Sequence, residues 1–171
     1  MEPLRHDNDR AVPVSSASRP RAAFGALLAI AAVVTAIDQL SKAIVVSALG
    51  NGRVVDLPGS VVRLVYARNT GAAFGIFPDR GTLFAIVAGI VVAGILLSYR
   101  RLSQSPIVVR AAAGLLLGGA IGNLLDRVRL GYVVDFIDLG WFPVFNLADS
   151  SIVLGVAALF LFTALQQDRQ Q

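Results

Sequence analysis

Four aspartates, Asp126, Asp135, Asp138 and Asp149, lie in or at the end of the stretch from Gly118 to Asp149, which links two long apolar segments of a chain otherwise poor in acids. Carboxylates gathered where two apolar helices meet a short connector point to a catalytic rim rather than a solvated loop. What the chain lacks narrows the chemistry open to them. It has no cysteine, which removes thiolate nucleophiles, disulfides and thiolate metal sites. Its one histidine, His6, lies in a polar N-terminal stretch, which argues against a serine-based triad and a histidine-ligated zinc. Carboxylate, hydroxyl, amide, arginine and a single lysine, Lys42, remain, and neither metal nor cofactor is expected. Two carboxylates within a few ångströms do not easily both ionise, so they share a proton. The charged one can take a proton from water while the protonated one hydrogen-bonds a carbonyl, which is the chemistry of amide hydrolysis by an acid pair.

Asp149 falls three residues after Asn146 where the last helix is expected to begin, so a capping arrangement competes with a chemical role for both. Three aspartates could partner it. Asp135 sits in Val133-Val134-Asp135-Phe136-Ile137 with no charge beside it, a setting whose desolvation raises a carboxyl pKa toward neutrality. Asp126 is followed by Arg127, and a neighbouring cation favours the ionised form. Asp138 is an odd number of residues from Asp135 and so faces the other side of a strand. The order of preference is Asp135, Asp126, Asp138.

Positioning these groups falls to a chain whose composition is not that of a water-soluble domain. Its 171 residues suit one domain. Hydrophobic residues make up 56%, charged residues 15%, and mean hydropathy is +0.70, more apolar surface than one aqueous core could hide. The net charge of +4 comes from arginines at the ends of apolar runs, where they meet lipid headgroups. No basic helix or aromatic platform for nucleic acid accompanies them.

Four spans are expected, at about 22–49, 82–98, 107–125 and 144–165, each near the roughly 20 residues that cross a bilayer. Residues 1–21 read as a disordered tail and 166–171 as a short cytoplasmic tail. The first run is longer than the roughly 7–15-residue core of a cleavable signal, and is therefore expected to be retained. Arginines in the N-terminal tail and in the 99–110 connector place both of these, and the C-terminus, in the cytoplasm. Segments 50–81 and 126–143 then share the outer face. The first offers two β-branched runs, Arg53–Leu57 and Val61–Tyr66, parted by Pro58-Gly59, and the second a run at Tyr132–Leu139, so a small sheet on the membrane is expected. The residues around Phe74 suit an interfacial segment covering the site, and Trp141 and Phe142 an aromatic belt.

Within the first span, Asp38 and Lys42 are four apart and read as an intrahelical ion pair. Ser41 and Lys42 are adjacent, point about 100° apart, and are poorly placed to act as a serine/lysine pair. Gly114, Gly118 and Gly122 at four-residue spacing allow close helix packing. Asn123 and Asp126 follow at a helix finish, where N-capping explains them poorly.

Five blocks in this order resemble the signal peptidase II (lipoprotein signal peptidase) family: Asp38-Gln39-Leu40-Ser41-Lys42, Ala67 to Gly75, Gly118 to Arg127, Val133-Val134-Asp135-Phe136 and Phe145 to Ser150. The resemblance implies an all-α integral membrane protein of four transmembrane helices with a small extracytoplasmic β-sheet and interfacial segment. It implies an aspartic endopeptidase of the bacterial cytoplasmic (inner) membrane, inhibited by globomycin, that removes the signal peptide of diacylglyceryl prolipoproteins just before the lipidated cysteine. By family pattern the dyad is Asp135 and Asp149. Asn69, Asn123, Arg127 and Asn146 match positions that bind substrate or support the dyad; Asp38 and Lys42 match structural positions, and Asp126 is placed with them. Expected partners are prolipoprotein substrates and membrane lipids, with the chain acting as a monomer. Two rival readings are a proton channel or small transporter, with carboxylates near the bilayer midplane, and a noncatalytic assembly subunit whose aspartates only cap helices.

Overall fold

The computed structural model describes residues 19–59, 61–71 and 81–168. The start of the expected N-terminal tail, the interfacial segment around Phe74 and the last three residues lie outside them. In chain order the elements are α1 (Arg19–Leu49), β1 (Val55–Asp56), β2 (Arg63–Asn69), α2 (Gly81–Leu97), α3 (Tyr99–Gln104), α4 (Ile107–Leu130), β3 (Val133–Asp138) and α5 (Leu147–Asp168). Helices α1, α4 and α5 are long and apolar enough to cross a membrane. α2, at 17 residues, reaches about 26 Å at 1.5 Å per residue, slightly short of the ~30 Å hydrocarbon core. The four-helix expectation is therefore met by three full-length candidates and one shorter apolar helix.

Several boundaries move. α1 begins inside the stretch expected to be tail, and α5 runs from Leu147 to Asp168 rather than from 144 to 165. α4 continues past 125 to Leu130, so Asp126 and Arg127 belong to the helix and not to the connector. The helix stops at Gly131, whose φ of 81° is left-handed and whose N–H caps the Arg127 carbonyl. The short α3 in the 99–110 connector was not expected; Pro106, lacking a backbone N–H, separates it from α4.

Helix α4 is the centre of the bundle, and small residues let its neighbours close on it. A Cβ on Gly118 would lie 2.7 Å from the Ala31 carbonyl of α1, and one on Gly119 would lie 2.5 Å from the Ala148 carbonyl of α5. Thr35 Oγ1 donates to the Gly118 carbonyl at 3.0 Å and Ser151 Oγ to the Leu115 carbonyl at 3.2 Å. Such bonds hold helices together where the surroundings offer little hydrophobic drive between them. Leu27, Ala31, Ala113 and Leu117 form the core of the α1–α4 contact.

The three strands form one antiparallel sheet in the order β1-β2-β3. β1 is shorter, and β2 begins and ends later, than the runs at 53–57 and 61–66 suggested. A bulge between Leu64 and Ala67 resets the register so that Ala67 faces Asp135 and Asn69 faces Val133. The sheet packs on the end of α1 through Val45, Leu49, Val134 and Phe136. Val133 to Phe136 are all buried, so both faces of β3 are covered at that point. The chain after β3 then folds back, the backbones of Ile137 and Phe145 exchanging hydrogen bonds of 2.8 and 3.1 Å.

Candidate active site

Asp135 and Asp149 come from different elements and meet at one side chain. Asp135 projects from β3 and is 2% exposed. Its Oδ1 accepts from Asn146 Nδ2 at 2.6 Å and its Oδ2 from Asn69 Nδ2 at 2.9 Å. Asp149 lies in the first turn of α5. Its backbone N–H donates to Asn146 Oδ1 at 2.9 Å, and its Oδ2 accepts from the Asn146 N–H at 3.4 Å. Asn146 and Asp149 thus make the reciprocal capping box their spacing suggested, while the amide of Asn146 is shared with Asp135. Capping and the approach of two carboxylates are parts of one arrangement here.

Asn123, on α4, completes the second carboxylate's surroundings: its Nδ2 donates to Asp149 Oδ1 at 2.7 Å. Its Oδ1 accepts from Asn146 Nδ2 at 3.1 Å and from Lys42 Nζ at 3.0 Å. Burial, and after it the charge of Asp149, push the Asp135 carboxyl up to about 6; the amides of Asn69 and Asn146 and the Lys42 ammonium act the other way. A carboxyl poised there exchanges its proton near neutrality, as acid–base chemistry in water requires.

Asp149, and Asn69 that donates to Asp135, border a cavity of about 670 Å³ whose wall also includes Phe84, Arg127, Phe142 and Leu154. Asn69, Arg127, Asp149 and Ser150 supply its polar side chains and the remaining wall is mostly apolar, a lining suited to a ligand that is largely hydrocarbon. Arg127 stands at this wall with its guanidinium 5.7 Å from the centre of the Phe84 ring and Nη1 donating to the Asn123 carbonyl at 3.3 Å. Among the described residues no three acidic, histidine or cysteine groups converge to hold a metal ion.

The remaining aspartates are engaged elsewhere. Asp38 and Asp126 both pair with Lys42, at 2.8 and 2.9 Å. The expected ion pair within α1 is therefore one half of a buried triad that reaches across to α4. Asp138 pairs with exposed Arg63 at the outer end of the sheet. Sequence reasoning gave Gln39 no role, yet its Nε2 donates to Asp126 Oδ1 at 2.9 Å and to the Gly122 carbonyl at 3.2 Å. Its place between Asp38 and Lys42 in an apolar run was the available signal. Phe84 and Leu154, which line the cavity, gave none, because each sits in a run of similar residues.

The sequence model of the family described as Signal peptidase (SPase) II matches residues 30–165. A lipoprotein signal peptidase of Moorella thermoacetica is 44% identical over 146 residues, spanning 84% of this chain and 97% of that protein. The lipoprotein signal peptidase of Halothermothrix orenii is 42% identical over 135 residues, 79% of this chain and 92% of that one. A bacterial membrane enzyme solved by the in meso method at 2.3 Å superposes with a TM-score of 0.80 at 32% identity, covering 86% of this chain and 92% of its own. A second, solved at 1.9 Å, gives 0.73 at 34%, covering 81% and 92%. With a family match over most of its length, three full-length apolar helices and membrane enzymes as structural neighbours, this multi-pass membrane protein belongs to the signal peptidase II family of proteases.

Proposed function

We propose that this chain is an aspartic endopeptidase that cleaves the signal peptide from diacylglyceryl-modified prolipoproteins just before the lipidated cysteine, with Asp135 and Asp149 as the dyad. The observation that carries the reading is the sharing of Asn146 by two carboxylates, one of which lines a largely apolar cavity. One aspartate, ionised, takes a proton from the attacking water. The other, protonated, hydrogen-bonds the scissile carbonyl as its oxygen gains charge. Collapse of the tetrahedral intermediate breaks the C–N bond, and the proton taken from water passes to the leaving amine. Asn69, Asn123 and Asn146 hold the carboxylates in place, so little reorganisation is needed when charge moves. Arg127, at the cavity wall, is positioned to contact the substrate backbone or headgroup.

The substrate's acyl chains and apolar signal helix already lie in the bilayer, and reach such a cavity by lateral diffusion. Arginine bias places both termini in the cytoplasm, which puts the sheet and the dyad at the extracytoplasmic face of the bacterial cytoplasmic membrane. The proposal takes the chain as a monomer surrounded by lipid. The test supplies purified, detergent-solubilised protein with a lipidated precursor and follows product mass. Wild type should release the signal peptide, and Asp135→Asn and Asp149→Asn should each leave the precursor intact. Cleavage by either variant at the wild-type rate would overturn the dyad.

A further inference from the structure

The Lys42 ammonium has three N–H donors and is held by three acceptors: Asp38 Oδ2, Asp126 Oδ2 and Asn123 Oδ1, at 2.8, 2.9 and 3.0 Å. Each acceptor makes one more bond toward the acid pair. Asp38 Oδ1 accepts from the N–H of Ala148 at 3.0 Å, the residue before Asp149. Asp126 Oδ2 accepts from the N–H of Val134 at 3.1 Å, the residue before Asp135. Asn123 Nδ2 donates to Asp149 itself. A single cation on α1 is thereby connected to β3, to the N-terminus of α5 and to the orientation of an amide.

We propose that Lys42 is a positioning residue for the peptidase reaction: its three bonds fix β3 against the start of α5, and so set how Asp135 and Asp149 face each other. Tolerating the Asp38 charge within a helix would need only the i,i+4 bond. The second carboxylate and the amide oxygen go beyond that need, and both lead to the acid pair. Donation by Lys42 at Asn123 Oδ1, alongside that of Asn146, also helps fix which end of that amide meets Asp149. Turned over, it would set an oxygen against a carboxylate. Lys42 is 3% exposed and its three donors are taken up by Asp38, Asp126 and Asn123, so it acts through these neighbours and not on substrate.

The inference rests on the dyad assignment, and the experiment separates the two. Full-length Lys42→Met and the triple variant Asp38→Asn/Lys42→Met/Asp126→Asn are assayed on lipidated precursor across pH, with thermal unfolding in parallel. The triple variant removes both carboxylate charges with the ammonium and keeps an acceptor for Ala148 and Val134, so it decides the matter if Lys42→Met alone does not fold. The expected result is a fall in kcat on the order of 100-fold, the scale of a misplacement of about 1 Å in a catalytic group, with KM unchanged. In Lys42→Met the acid limb of kcat/KM should move to higher pH, because the Lys42 charge that helps hold Asp135 down is gone; the triple variant, which also loses two carboxylate charges, is judged on kcat and KM alone. Wild-type kcat and pH profile in a folded variant would overturn the inference. So would a loss that only tracks the folded fraction while the profile stays in place. If Asp135→Asn and Asp149→Asn are inactive and the Lys42 variants are not impaired, only this inference fails; if either Asp→Asn variant cleaves normally, the dyad fails first.

Discussion

Asparagine at position 135 fills the space of the aspartate without its charge, and the consequence depends on pH in a calculable way. Burial and Asp149 raise the Asp135 carboxyl from 3.8 to about 6 in the folded protein. A group whose folded pKa is raised contributes stability that is fully present below its unfolded pKa and lost as pH rises through the folded one. At about 1.4 kcal/mol per pKa unit, wild type therefore loses roughly 2–3 kcal/mol relative to Asp135→Asn between about pH 4 and about pH 8. The new amide also turns an N–H₂ toward an Asn donor. Asn146 is held by Val134, Asn123 and the Asp149 N–H as well, so the mismatch falls on Asn69, at about 1–2 kcal/mol. That cost is the same at every pH and cancels from the comparison. Unfolding of both proteins in detergent across this range, alongside cleavage of a lipidated precursor, gives the two readouts. The variant should be inactive throughout and gain stability on wild type as pH rises through 6. A stability difference that does not vary with pH would show that the site does not raise this carboxyl, and the proton-sharing argument would fall with it.

Other substitutions test separate parts of the structure. Gly122→Ala puts a Cβ 2.5 Å from Asp38 Oδ2, and should lower the unfolding midpoint by the equivalent of about 2 kcal/mol and impair cleavage. Gly94→Ala, with nothing within 4 Å, should stay within about 1 kcal/mol of wild type. Asn69→Ala removes one of the amides that hold the Asp135 pKa down. Its acid limb in kcat/KM should move to higher pH and the plateau fall roughly tenfold, about the net worth of one hydrogen bond. Arg63→Ala breaks an ion pair whose arginine is 45% exposed, so unfolding should shift by less than about 1 kcal/mol and precursor cleavage should be unchanged.

Local features were legible in the sequence because they depend on spacing along one element. The Asp38–Lys42 pair, the Asn146–Asp149 capping box and the small-residue face of α4 all follow from separations of three or four residues. What spacing could not supply was convergence. Asp126 looked like part of a connector, yet it completes the Lys42 triad and holds the Val134 N–H. Both contacts need the packing of α4 against α1 and β3. The end of α4 was misplaced for a related reason: Asp126 and Arg127 resembled a boundary, but each has a partner inside the protein, which makes charge tolerable in the helix. The register of β3 against β2 was out of reach because the bulge between Leu64 and Ala67 leaves no mark in composition.

The bond from Ala148 to Asp38 joins the first turn of α5 to α1 across 110 positions. On the dyad assignment, α5 carries one acid, and α1, translated well before it, seats that turn of helix. A nascent chain that has not yet delivered α5 has Asp135 and no second carboxylate beside it. Delivery of α5 is thus the step that arms the catalyst. Chains truncated before Leu147 are expected to leave a lipidated precursor uncut.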